Sequence, residues 1–364
     1  MAPATGNHRI LSHGTVNYCM EVDRVLLAEP RGFCAGVEMA IKALAWMVRM
    51  FDSPVYCYHE IVHNRLIVDR FRALGVVFVD DLDEVPPGAP LMLSAHGSAP
   101  EVVAAAQRKG GFVVNAVCPL VTKVHHEAKV RAGKGFDIIY VGHAGHDEAI
   151  GTMAVAPAAM HLVETVEEVE HLDIGDRPVA LLAQTTLSHF DWADVLDAAI
   201  TKYPDMWRPG RSDLCYATTN RQSALQALAG RSDAIVVIGS ANSSNTVALE
   251  KVARASGCER VYRVNSADEL PDDLEGTIGV TAGASAPEDL VQAVLARLAA
   301  RHEIETVRVT DEDEYFPLPP ELREAVPAIA ALIAFGLGAP PPETSALRND
   351  RSTAASDVLG ALRQ

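Results

Sequence analysis

The sequence predicts an α/β protein built from a set of small, mostly parallel sheets, and three observations lead there. Short β-branched runs alternate with helix-period segments along most of the 364 residues. Several of those runs are almost continuously apolar, as strands buried on both faces of a parallel sheet are. Polar motifs recur where the runs end, and in open α/β sheets that edge is where ligands bind. The length exceeds one ordinary core, so two or three compact domains are expected.

The elements follow in order. Residues 1–22 read as a variable extension. Val25–Ala28 is the first apolar run; the turn EPRGFC leads from it into a helical pattern over 36–50. Pro54–Tyr58 runs into HEIVHN at 59–64 and a helix over 63–74. Leu91–Ala95 ends in SAHGSAP, and Phe112–Ala116 ends at Cys118 before a helix over 119–132. Ile138–Gly142 opens into GHAGHDE, and Val179–Gln184 into QTTLSH with a helix over 191–202. CYATTNRQ precedes a helix over 219–229. Ala234–Gly239 leads through SANSSNT into a helix over 245–256, and Thr277–Thr281 through TAGASAP into one over 287–301. From about Gly338, with Pro340, Pro341 and Pro342, the chain reads as a disordered tail.

Composition narrows the function classes. Apolar residues make up 49% of the chain, enough for substantial cores. A net charge of −17 excludes the basic stripe that nucleic-acid binding needs, and no GxxxxGK[ST] loop supports a nucleotide site. An acidic body still admits an anionic ligand, because helix N-termini hold phosphate locally. Six cysteines are too sparse for a disulfide scaffold. With no secretory signal and no apolar run long enough to span a membrane, a reducing, cytoplasmic setting is expected.

Cys34, Cys118 and Cys215 each stand where a strand-like run gives way to a turn and then a helix. Singly, a free cysteine is usually a small buried hydrophobe. As a set at equivalent turns, they point to a metal centre with three protein ligands and an open position. An iron–sulfur cluster with one exposed iron fits, and zinc with a fourth histidine competes. Cys19, Cys57 and Cys258 occupy an extension, a strand and a helix end, and read as structural. His63, His96 and His146 sit in three separate turns, where imidazoles can bind metal or donate to an anion. Glu148 can serve as a proton donor if burial raises its pKa, or simply face a helix dipole. Asp147 beside it reads as solvent-facing. Ser243, Ser244, Asn245 and Ser285 open helices, and Thr185 and Thr186 line a similar edge; each can be a helix cap or part of a phosphate cradle.

Together, PRGFCAGVEMAI, HEIVHN, SAHGSAP, CPLVTKVH, GHAGHDE, QTTLS, CYATTNRQ, SANSSNT and VTAGASAP resemble the motif series of the LytB (IspH) family of 4-hydroxy-3-methylbut-2-enyl diphosphate reductases. The similarity runs from about Arg24 to about Val326. It implies a trefoil of three α/β domains around a central [4Fe–4S] cluster held by Cys34, Cys118 and Cys215. The domain spans it suggests are 23–118, 119–211 and 212–330, with the N-terminal strand shared with the third. His63, His96, His146, Thr185, Thr186, Ser243, Ser244, Asn245 and Ser285 match the substrate pocket, and Glu148 with His146 the proton delivery. The family usually carries proline where this chain has Asp147. The implied reaction is reductive dehydroxylation of an allylic diphosphate, with ferredoxin or flavodoxin as electron donor. The competing class is a non-catalytic iron–sulfur or zinc sensor, which needs an output surface that the sequence does not display.

Overall fold

The structure, a computed structural model, describes residues 20–52, 54–210, 212–340 and 350–362. Twelve strands among these residues form three sheets, and every strand pair is parallel. One sheet contains β2 (Val55–Tyr58), β3 (Val76–Val79), β4 (Leu91–Leu93) and β5 (Val113–Asn115) in the order β3-β2-β4-β5. The next holds β6 (Asp137–Val141), β7 (Met160–Val163) and β8 (Val179–Ala183) in the order β7-β6-β8. In the largest, β9 (Ala234–Ile238), β10 (Val261–Val264) and β11 (Glu275–Ala282) join β1 (Glu21–Glu29) and β12 (Glu305–Arg308) in the order β10-β9-β11-β1-β12. The first strand of the chain thus lies inside the last sheet, and it begins at Glu21, within the segment expected to be extension. Val22 is buried there and belongs to the apolar core under that sheet.

Parallel strands require crossovers, and helices supply them. These are α1 (Ala35–Met50), α2 (Arg65–Ala73), α3 (Pro100–Arg108), α4 (Pro119–Gly133), α5 (Asp147–Met153), α6 (Val166–His171), α7 (His189–Lys202), α8 (Tyr216–Ala229), α9 (Ser244–Ala255) and α10 (Glu288–Leu298). The central strands β6 and β9 are buried at every residue, so helices cover both faces. Edge strands β3, β7 and β10 are buried only at their ends.

Among the described residues, two helices follow the last strand, α11 (Pro320–Gly336) and α12 (Ala355–Ala361). The second corrects the expectation of a disordered tail over 338–364. Ala355 and Leu359 are buried in the core around α1, and the Ala355 N–H donates to Glu38 at 2.6 Å. The spacing of these two residues, one turn apart, gives the segment an apolar stripe to bury despite its small polar neighbours. Residues 341–349 of that tail, residues 1–19 of the extension and Cys19 lie outside the described residues.

Candidate active site

The C-terminal ends of strands from all three sheets border one shared cavity. After β1 come Cys34 and Gly36; after β2, His63; after β4, His96; after β5, Cys118. The second sheet contributes His146 and Glu148 after β6, and Thr185 and Thr186 after β8. Ser243, Ser244 and Asn245 follow β9, and Ser285 follows β11. Cys215 also lines the cavity, but no strand precedes it. It is fixed instead by its N–H donating to the Thr185 carbonyl at 3.0 Å.

The three cysteines are the N-caps of α1, α4 and α8, so three helix N-termini point at the sulfurs. Cys215 Sγ accepts from the Thr218 N–H at 3.2 Å and lies 3.0 Å from the Thr218 hydroxyl. Gly36 keeps the space between thiols open. A Cβ added there would stand 2.9 Å from Cys118 Sγ and 3.9 Å from Cys34 Sγ. Burial pushes the Cys34 and Cys118 thiols up, and Cys215 up to about 11, with the nearby cysteines adding to the rise at Cys118 and Cys215. Three crowded thiols with raised pKa values form a poor home for free thiolates and a good one for a group whose positive charge collects them. The donor set, all soft sulfur with no fourth cysteine in the cavity lining, fits an iron–sulfur cluster. Cys57 and Cys258 lie elsewhere, in β2 and near the end of α9.

The imidazoles gather on another side. His63 and His96 stack with centroids 3.8 Å apart and planes 10° apart, and His146 meets both edge-on. Burial, then the neighbouring His63 and His146, hold His96 well below the usual histidine range. Burial also brings His146 down to about 4. His146 caps α5, its Nδ1 accepting from the Glu148 N–H at 3.1 Å, which leaves the proton on Nε2. His96 Nε2 is buried with no protein partner.

Asp147 is not solvent-facing as expected. Its carboxylate pairs with His59 Nδ1 at 2.7 Å and lies 3.8 Å from His63 Nε2. Burial works to raise Asp147, but the hydrogen bond and charge of His59 outweigh it and hold the carboxyl low. His63, His96 and Asp147 each bring a metal-ligating atom within 4.8 Å of the others. Imidazole lone pairs lie in the ring plane, however, and two nearly parallel stacked planes do not converge on one ion. As arranged, this face is better suited to hydrogen-bonding an anion.

Glu148 is 2% exposed. One carboxylate oxygen accepts from the Thr185 N–H at 2.7 Å, and the other from its hydroxyl at 3.0 Å. Those bonds favour the charged form, yet burial dominates and lifts the carboxyl to about 7. The polar rim is held as firmly. Gln184 Nε2 donates to Thr186 Oγ1 at 3.0 Å and to Ser244 Oγ at 3.2 Å. Ser243 caps α9, Asn245 Oδ1 accepts from the Ala284 N–H at 2.8 Å, and the Ser285 hydroxyl donates to the His63 carbonyl at 3.0 Å.

Several cavity residues escape sequence reasoning. Thr218 sits in the quoted CYATTNRQ motif, where its position one turn after Cys215 is the available signal. Phe316, from the segment after β12, has no such signal.

A family model described as LytB protein matches residues 25–299. A reductase of Beijerinckia indica, named 4-hydroxy-3-methylbut-2-enyl diphosphate reductase, is 46% identical over 83% of this chain and 97% of its own. The protein of that name from Phenylobacterium zucineum is 48% identical over 77% of this chain and 90% of its own. Among solved structures, the E-1-hydroxy-2-methyl-but-2-enyl-4-diphosphate reductase of Plasmodium falciparum superposes with a TM-score of 0.79 at 32% identity, covering 82% of this chain and 96% of that one. A second, described as the terminal enzyme of the non-mevalonate pathway, gives a TM-score of 0.57 at 29% identity, covering 76% and 99%.

Proposed function

The chain belongs to the LytB family, and on that premise we propose that the cavity reductively dehydroxylates (E)-4-hydroxy-3-methylbut-2-enyl diphosphate to isopentenyl and dimethylallyl diphosphate. The observation that carries this reading is the meeting of three thiols, three imidazoles and one buried, high-pKa carboxyl in a single space. The chain is an oxidoreductase of isoprenoid precursor synthesis by that membership. The three-domain division at 118 and 211 belongs to the same proposal, with one parallel sheet supporting each unit.

Cys34, Cys118 and Cys215 would hold a [4Fe–4S] cluster. When bound, it supplies electrons one at a time and a Lewis-acidic iron with a free coordination site. The balance of the reaction sets what the protein must do: a C–O bond breaks, a C–H bond forms, and two electrons and two protons enter as water leaves. Glu148, whose carboxyl burial lifts to about 7 so that it can hold a proton at neutral pH, gives the proton that lets hydroxide depart as water. The Thr185 hydroxyl and N–H fix that carboxyl, so the proton is presented from one place. His63, His96, Ser243, Ser244, Asn245 and Ser285 take the diphosphate, with His96 Nε2 as a buried group awaiting a partner. Holding the diphosphate in this way orients the reacting carbon and excludes water.

The electrons come from a small carrier such as ferredoxin or flavodoxin. No helix among the described residues is long and apolar enough to cross a membrane, and a reducing cytoplasm suits three adjacent thiols. Anaerobic purification followed by iron and sulfide analysis, together with substrate-dependent oxidation of a reduced viologen dye, tests the reading. A colourless, zinc-loaded protein without turnover would favour the sensor class instead.

A further inference from the structure

Among the described residues Arg221 is the largest fully buried side chain, 1% exposed, and no step described above uses it. Its guanidinium joins two segments remote in sequence. Nε and Nη2 donate to the Gly32 carbonyl at 3.0 and 2.7 Å, and Nη2 to the Phe33 carbonyl at 3.2 Å. These carbonyls belong to the turn that delivers Cys34. Gly32 adopts φ +65° there, a left-handed backbone that a side chain would strain. On its other side Arg221 donates three bonds to the two oxygens of Glu312, each at 3.1 Å, and Asn220 adds a fourth at 3.1 Å.

Glu312 lies in the stretch between β12 and α11, whose Phe316 forms part of the cavity wall. The far end of that stretch is pinned separately: the Tyr315 hydroxyl donates to Asp350 at 2.5 Å, and Asp350 pairs with Lys42 of α1 at 3.4 Å. A buried guanidinium this fully engaged is far costlier than packing alone requires, because each charge must be desolvated. Its placement gives two benefits: it locks the stretch over the thiol end of the cavity, and it sets an ion pair in low dielectric beside Cys34.

We propose that Arg221 and Glu312 are positioning residues that hold segment 309–318 across the thiol end of the cavity and bias the charge of the group bound there. The inference rests on the thiols holding an electron carrier. A buried cation favours the more negative, reduced state, and a buried carboxylate opposes it. Replacing either partner therefore moves the reduction midpoint in opposite directions.

The test uses the cluster-loaded full chain. In anaerobic dye-coupled potentiometry followed by electron paramagnetic resonance, Glu312→Gln is expected to raise the midpoint and Arg221→Gln to lower it. Asp311→Asn, the same charge change on the exposed side of the stretch, is expected to shift it far less. A midpoint unmoved in Glu312→Gln, or moved as far by Asp311→Asn, overturns the electrostatic role. Should Arg221→Gln fail to fold, Glu312→Gln still decides that point. Hydrogen exchange on the metal-free chain decides the clamp independently: Glu312→Gln is expected to lose protection at the bonded N–H groups of Val309, Gly32 and Cys34, and unchanged protection overturns it. Failure of the functional reading appears separately, as absence of iron from the unsubstituted protein.

Discussion

Replacing Glu148 by glutamine separates proton delivery from binding. Glutamine keeps the shape, its carbonyl can still accept from the Thr185 N–H, and its amide can donate to the Thr185 hydroxyl, but it has no acidic proton. Lifting a carboxyl from 4.5 to about 7 corresponds to roughly 3 kcal/mol against the ionised form. The sign follows: the folded pKa is raised, so the associated stability is complete below 4.5 and is lost as pH rises through about 7. Glu148→Gln removes that loss, so the variant should gain up to about 3 kcal/mol over the parent in alkaline denaturant titrations and match it in acid. Turnover should move the other way, falling on the order of a hundredfold or more with substrate affinity and iron content retained. The parent's kcat should decline as pH rises through about 7, while the variant's small residual rate stays flat across that range. The assay is anaerobic dye oxidation across pH with single-turnover product analysis. Ordinary product formation by the variant would refute the role, and loss of iron would make Glu148 structural.

Four further outcomes are expected. Serine at Cys34, Cys118 or Cys215 should abolish stable iron binding, since hard oxygen replaces soft thiolate, whereas Cys258→Ser should retain it; iron and sulfide analysis decides. Gly36→Ala should lower iron content without unfolding the chain, because its Cβ falls 2.9 Å from Cys118 Sγ; circular dichroism with metal analysis distinguishes the two. Ser244→Ala should weaken inorganic diphosphate by roughly 1–3 kcal/mol in calorimetry, and unchanged affinity would put the anion elsewhere. Asp147→Asn should tighten diphosphate by no more than about fivefold, because a carboxylate 3.8 Å from His63 Nε2 repels the anion; weaker binding would mean that Asp147 orients the imidazole instead.

What the sequence made legible follows burial. All four strands that sequence reading missed, β3, β7, β10 and β12, are sheet edges, and none is buried along its full length. A run that is apolar throughout signals a strand covered on both faces, and an edge strand lacks that signal. Two edges were found: β8 is fully buried, because the Trp207 backbone bonds to Val179 and Leu181 along its open side, whereas β5 is buried only at Val114 and was found through the apolar run Phe112–Ala116 that contains it. Helices α3 and α6 each bury a single residue and were missed for the same reason, whereas α5 and α11, also missed, are a seven-residue helix and a helix with Pro327 inside it. Residues of the cavity were visible because they sit on turns, where a cysteine, histidine or carboxylate has no packing role to explain it. Arg221 and Glu312 were not, since a guanidinium in a helix and a glutamate in an acidic run look like surface residues until the fold brings them together.

The fold also resolves how a chain of net charge −17 can take an anion. Surface charge is screened over about 8 Å at physiological salt, so charges on the far surface contribute little at the cavity. Inside that range the cavity sees the N-termini of α1, α4 and α8 behind the thiols, α5 beneath His146 and α9 at Ser243. Each such end carries roughly half a positive charge in fixed peptide dipoles. This field has no titratable group, so it persists while His96 and His146, held low by burial, remain neutral donors. For α1, α4, α5 and α9 the parallel topology aims these ends inward, because each follows a strand out of the same kind of sheet edge, whereas α8 is held there by the Cys215 N–H bond to the Thr185 carbonyl. A field that favours an anion at this edge is therefore set by backbone dipoles rather than by titratable side chains.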